Sequence, residues 1–253
     1  MHKGPPKYAT GVLPQDPGVS LATSSPPRTY LTSRRSSNSN LYMLVINFQN
    51  ILSKKAELEC SISATKPDII IGSETWLRPS IGQGEFFPDS YRIYCKDRSD
   101  GYGGVLIAIH TSLSSHQVMV DSNTEFIAAK ILSVNSPLLF YRPPNNSSDY
   151  MDTLNQAITD LCKHEPNSTM WLAGDMNLPD IDWTNEQVIH IQYNQQISDS
   201  FLQLLAKAGL EQVVDFPTRG NNILDILLTN RPSLENRCEC APGLSYHDSV
   251  PRH

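Results

Sequence analysis

From residue 42 onward the chain consists of short apolar runs separated by polar turns. YMLVIN (42–47), DIIIGSE (68–74, introduced by Pro67), YRIYC (91–95) and GVLIAIH (104–110) have strand length and strand composition, and the last two flank the Gly-rich SDGYGG turn. Shorter β segments are expected at 116–120, 125–132 and 138–142, followed by TMWLAGDMN (169–177), ILDILLTN (223–230) and a last short strand in LSYHDSV (244–250). Three stretches read as helices. SKKAELECSISA (53–64) sets Ala56, Leu58, Cys60 and Ile62 among strong helix formers. Residues 149–163 carry Met151, Leu154, Ile158 and Leu161 at three- and four-residue spacing. QQISDSFLQLLAKAGL (195–210) is closed by Gly209. Hairpins mixed with helices, without strict βαβ alternation, predict an α/β architecture of two packed sheets with helices outside. No repeat of fixed period is present.

Residues 1–40 differ in texture. PPK, SSPPR and RRSSNSN are rich in Pro and Ser and lack apolar periodicity, which predicts a disordered tail ahead of one domain over 41–253. The chain has 253 residues, 39% of them hydrophobic, enough for a single domain to bury its own core. The net charge of −6 is uneven: Lys3, Lys7, Arg28, Arg34 and Arg35 against Asp16 make the first forty residues +4 and leave −10 for the rest. An acidic body argues against a module that coats nucleic acid. It suits a cleft that holds a cation. Cys60, Cys95, Cys162, Cys238 and Cys240 form no disulfide framework, and the Cys238–Cys240 pair lacks a second half with zinc spacing, so a reduced compartment is expected. MHKGPPKYATG is not a secretory leader and no run reaches membrane-span length, which points to an intracellular protein of nucleus or cytoplasm. Asn145, Asn146 and Asn167 begin Asn-x-Ser/Thr triplets and are read as unmodified loop residues.

The chemistry lies where apolar strands end in polar residues. Asn47 follows YMLVI, Glu74 follows DIIIGS, and Asp175 and Asn177 follow MWLAG. Asp225 lies inside ILDILL and His247 inside the final strand. Strand ends of a packed core are rigid platforms for a site. A charge inside an apolar strand must be paired or face a cleft. Singly, Asn47 and Glu74 would pass as ordinary strand ends, and Asp175 and Asn177 as turn formers before Pro179.

The runs KPDIIIGSETWL (66–77), YRPPN (141–145), WLAGDMNLPDIDW (171–183), ILDILLTNRP (223–232) and PGLSYHD (242–248), in this order, resemble the endonuclease domains of non-LTR retrotransposons in the exonuclease–endonuclease–phosphatase superfamily. These are similar in turn to apurinic endonucleases and deoxyribonuclease I, and the likeness spans about 42–250. The resemblance implies a deoxyribonuclease I-like four-layer sandwich, two mixed or antiparallel β-sheets flanked by helices. It also implies a Mg2+-dependent (or Mn2+-dependent) phosphodiesterase that nicks DNA as a monomer, with no reverse transcriptase in this chain. By the same resemblance Glu74 and Asn47 are the metal-side residues. Tyr141 contacts the scissile phosphate, Asp175 orients or deprotonates the attacking water, and Asn177 positions the phosphate. His247 touches the phosphate, and Asp225 holds the His247 ring.

Three features depart from the family pattern. The last motif, usually Ser-Asp-His, reads Ser245-Tyr246-His247-Asp248, so a phenol stands where an acid supports the metal site. Asp248 lies ~6–7 Å further along the strand than Tyr246 and does not replace it. The family's terminal core strand is expected to be truncated, and the LLFY strand before Arg142 is short. A catalytically inactive relict, or another phosphodiesterase or phosphatase of the superfamily, is the competing reading.

Overall fold

In a computed structural model the chain is described over residues 29–35, 40–78, 83–98, 101–120, 126–132, 138–141, 148–189 and 195–241. The elements run β1 (Thr29–Arg35), β2 (Asn40–Asn47), α1 (Lys55–Thr65), β3 (Ile69–Ser73), β4 (Tyr91–Lys96), β5 (Val105–His110), β6 (Ser115–Val118), β7 (Ile127–Ile131) and β8 (Leu138–Tyr141). They continue α2 (Ser148–His164), β9 (Met170–Asp175), β10 (Ile181–Asp182), β11 (Gln187–Val188), α3 (Gln195–Ala208), β12 (Glu211–Gln212), β13 (Asp225–Thr229) and β14 (Glu235–Ala241). Two six-stranded sheets result, ordered β14-β1-β2-β3-β5-β4 and β12-β13-β9-β8-β7-β6, with β10–β11 as a separate small hairpin.

Both sheets are mixed. Each has one parallel pair, β2–β3 in the first and β8–β9 in the second, and the remaining pairs are antiparallel. Parallel neighbours need a crossover. Here α1 joins β2 to β3 and α2 joins β8 to β9.

Strand alternation sorts the apolar side chains into three cores. Met43, Val45, Ile69, Ile71, Ile107, Trp171, Ala173 and Leu227 meet between the sheets. Their sequence neighbours Leu44, Ile46, Ile70 and Leu106 face outward, under Leu58 and Ile62 of α1. On the far side Leu172, Ile226 and Leu228 pack against Met151, Leu154, Ile158 and Leu161 of α2 and Phe201, Leu204 and Leu205 of α3. The order helix, sheet, sheet, helices gives the two packed sheets with helices outside that the pattern predicts, and the four layers that the resemblance implies.

Helix α1 stops where the chain requires it. Lys66 adopts the left-handed conformation (φ 46) and its N–H bonds the Ile62 carbonyl, just before Pro67.

The tail boundary differs from expectation. Thr29–Arg35 forms β1, paired on one side with β2 (Thr29 opposite Ile46) and on the other with β14 (Thr29 opposite Ala241). Thr29, Tyr30 and Thr32 favour extended backbone, and the ladder comes from main-chain pairing that apolar periodicity does not reveal. Residues 1–28 and the strand expected at 244–250 lie outside the described residues.

Candidate active site

Four of the singled-out positions stand at or just beyond the carboxyl ends of the two parallel pairs. Asn47 closes β2, Glu74 follows β3, Tyr141 closes β8 and Asp175 closes β9. Asn47 follows Met43 and Val45 in phase, Asp175 follows Trp171 and Ala173, and Asp225 precedes Leu227. All three therefore face the space between the sheets, at the edge where its apolar filling ends. Burial is nearly complete: Asn47 is 5%, Asp175 3% and Asp225 4% exposed.

The sheets meet through polar bonds at this edge. Asn47 donates from Nδ2 to Asp175 Oδ2 at 3.4 Å, joining a strand end of one sheet to a strand end of the other. The Asn177 N–H donates to Asp175 Oδ1 at 2.9 Å. Asp225 lies directly opposite Asp175 in the β13–β9 register. Glu74 is half-buried, and its Oε2 accepts the Trp76 indole N–H at 2.9 Å.

The backbone here is unusual. Gln49, Asn50, Glu74, Trp76 and Asn177 all have positive φ, at 48°, 105°, 51°, 54° and 46°. All five lie on the turns leaving β2, β3 and β9, and none is glycine. Non-glycine residues in this region cost energy and persist where surrounding structure imposes them, commonly at functional sites. One such bond is visible: the Asn50 N–H donates to the Glu74 carbonyl at 2.9 Å, tying two of these turns together.

A residue that the sequence did not single out completes the cluster. Arg219 Nη2 is 2.5 Å from Asp175 Oδ2. Its backbone is fixed in a tight turn ahead of β13, exchanging two 3.0 Å bonds with Asn222, with Gly220 at φ 59 inside the turn. The adjacent Thr218 hydroxyl oxygen accepts the N–H groups of Leu224 and Asp225, both at 2.9 Å, and locks the turn onto the strand. Burial pulls the Arg219 pKa down, but the charge of Asp175, its hydrogen bond, and the charges of Asp225 and Glu74 outweigh it, so the net shift is upward. Glu74, Asp175 and Asp225 thus act on one guanidinium. The only sequence signal was indirect: an Asp inside ILDILL demands compensating charge, and the PTRGNN turn just upstream holds an Arg.

Asn47, Asp175, Asn177 and Asp225 are brought together directly, and Glu74 shares their field at Arg219. The Tyr141 backbone is in place on β8, paired with Ala173 of β9. His247, and with it the expected Asp225–His247 bond, lies outside the described residues.

Among the described residues no group of three or more His, Cys, Asp and Glu side chains forms a metal cage. That excludes no magnesium-type site, because this ion keeps most of its waters and takes only one or two carboxylates. The Glu74 carboxylate and the Asn47 amide oxygen, which also accepts the Gln49 N–H at 3.3 Å, are hard donors of the kind such an ion takes.

A family model described as Endonuclease-reverse transcriptase matches residues 138–250. No curated protein sequence matches the chain. Among solved structures, the endonuclease domain of TRAS1, a telomere-specific non-LTR retrotransposon, is 16% identical, with TM-score 0.54 over 74% of this chain and 83% of that one. The AP endonuclease LMAP from Leishmania major is 13% identical, with TM-score 0.59 over 81% and 80%. An AP endonuclease from Archaeoglobus fulgidus is 17% identical, with TM-score 0.56 over 76% and 87%. Residues 138–250 thus match that endonuclease family, and the chain shares the fold of these endonuclease structures over 74–81% of its length.

Proposed function

We propose that this protein is a magnesium-dependent DNA endonuclease of retrotransposon origin that nicks one strand by phosphodiester hydrolysis. The observation that carries the reading is the Asp175 carboxylate, 3% exposed, held by the Asn177 N–H and the Asn47 amide where the two sheets meet. A buried carboxylate held in one orientation at a strand end suits a group that acts on a water molecule. The retroelement branch is supported by the description of the family matched over 138–250 and by the likeness to a retrotransposon endonuclease domain.

Asp175 orients the attacking water and accepts its proton as the water oxygen bonds to phosphorus. The phosphorus–oxygen bond to the leaving strand breaks in the same displacement. Asn177 and Tyr141 position the phosphate, and His247, held by Asp225, adds a donor to its oxygens. Glu74 and Asn47 are the residues that would hold the divalent cation. When bound, this ion supplies Lewis-acid stabilisation of the charge that develops on the phosphate oxygens. The remaining catalysis is positioning and electrostatics.

The test is nicking of supercoiled plasmid. Relaxed circles are expected in Mg2+ and none after chelation with EDTA. Product formation that is indifferent to EDTA would remove the metal-dependent reading.

Tyr246 favours a second reading, a relict of low activity, because a neutral phenol stands where the family carries an acid beside the metal site. Tyr246→Asp is expected to raise the Mg2+-dependent nicking rate by about tenfold or more, the scale on which groups supporting a metal site act. An unchanged or lower rate would show that Tyr246 does not limit the site. Absence of nicking in both chains would establish the relict.

A further inference from the structure

We propose that Arg219 is a built-in counter-cation that opposes divalent-metal binding at Glu74 and Asn47, so that the metal-free site is latched and metal binding works against the latch. This rests on the functional reading above in one respect: it takes a divalent cation as the ligand of Glu74 and Asn47.

The need for such a cation follows from the fold. Asp175 and Asp225 are directly opposite on neighbouring antiparallel strands, face the same side and are both almost fully buried. Like charges in this relation repel, and the low dielectric of an interior magnifies the cost. Arg219 answers both problems with a 2.5 Å bond to Asp175 Oδ2. Its charge is also felt by Asp225 and Glu74. Arginine keeps its proton under all ordinary conditions, so this compensation does not titrate away.

The latch is built so that only a side chain need move. Thr218 and Asn222 fix the Arg219 backbone to β13. The guanidinium end is partly open: the Arg219 side chain is 30% exposed, against 4% for its Asp175 partner. A rotamer change at the rim can carry the charge away from Asp175 without disturbing the strand. Two cations drawn to one set of carboxylates repel each other, so each weakens binding of the other by the same factor. Releasing Arg219 also frees Asp175 Oδ2, leaving the Asn47 amide and the Asn177 N–H as its anchors while it works on a water molecule.

The experiment is calorimetric titration of Mn2+ into the full chain without DNA, for the parent and for Arg219→Gln, Arg219→Ala and Arg219→Lys. Arg219→Gln keeps a donor for Asp175 without the charge, and it serves if Arg219→Ala fails to fold. The expected result is Mn2+ binding about tenfold tighter in Arg219→Gln and Arg219→Ala, with Arg219→Lys close to the parent. The metal-free melting temperature of the neutral variants should fall, and saturating Mn2+ should recover more of it than in the parent. Equal or weaker Mn2+ binding by the neutral variants would overturn the latch and leave the endonuclease reading intact. Absence of Mn2+ binding in the parent and every variant would overturn the metal reading, and the latch with it.

Discussion

Asp175→Asn is expected to lower the Mg2+-dependent nicking rate by about a hundredfold or more, the scale of a positioned acid–base group. The measurement belongs in both the parent chain and the Tyr246→Asp chain. The amide is nearly isosteric with the carboxylate and can still accept the Asn177 N–H through Oδ1, a bond of 2.9 Å in the parent. What it loses is the capacity to take a proton from water and the negative charge that faces Arg219. The new Nδ2 also faces the Asn47 and Arg219 donors that Oδ2 accepts in the parent, so the rate is read beside the fold. A thermal melt should show a folded protein, and an unchanged KM with reduced kcat would place the loss in the transition state. Nicking within a few fold of the parent would show that Asp175 does not activate the water.

The site was legible in the sequence wherever a polar residue ended an apolar run. Asn47 and Asp175 each close a run of core residues, and the strand phase that buries Val45 and Ala173 between the sheets carries on to them, whereas Glu74 follows β3 one residue out of that phase. Asp225 was legible because a charge among Ile and Leu needs an explanation. The helices were legible for the same reason, since Met151, Leu154, Ile158 and Leu161 all point into one core.

Other features left no periodic trace. β1 and β14 pair with each other at one side of the first sheet through main-chain groups, which any sequence of suitable backbone preference can supply. TYLTSRR and ENRCECA carry no apolar stripe, and the first sits in a Pro/Ser-rich context that argues for disorder. The β10–β11 and β12 segments are two residues each, too short for alternation to register. Arg219 escaped because PTRGNN reads as a turn and nothing local shows that the turn points its arginine at Asp175, 44 residues away in the chain. Long-range charge pairing is decided by the fold, and only the demand for it is visible in a sequence.

Trp171→Ala is expected to cost about 3–5 kcal/mol of folding stability, the range for truncating a fully buried large aromatic side chain. Trp171 is 1% exposed and is the largest side chain between the two sheets. It lies on β9, a central strand flanked by β8 and β13, so its ring is surrounded rather than at an edge. Ile71 and Ile107 from the first sheet and Leu227 from its own share this core, branched residues on rigid strands that resist collapse into the space an alanine would leave. Urea denaturation should show a lower midpoint at an unchanged slope. Met119→Ala is a suitable control, because Met119 is 86% exposed and such surface changes cost about 0.5 kcal/mol or less. The change reaches the site as well. Asp175 ends the same strand and faces the same side as Trp171, so a loosened β9 displaces the carboxylate relative to Asn47 on the other sheet. A misplacement of ~1 Å can cost about a hundredfold in rate, so the fraction that stays folded should also nick slowly. A stability loss below about 1 kcal/mol, far under the expected range, would mean that the sheets are not held together through β9, and the account of how the site is assembled would fall with it.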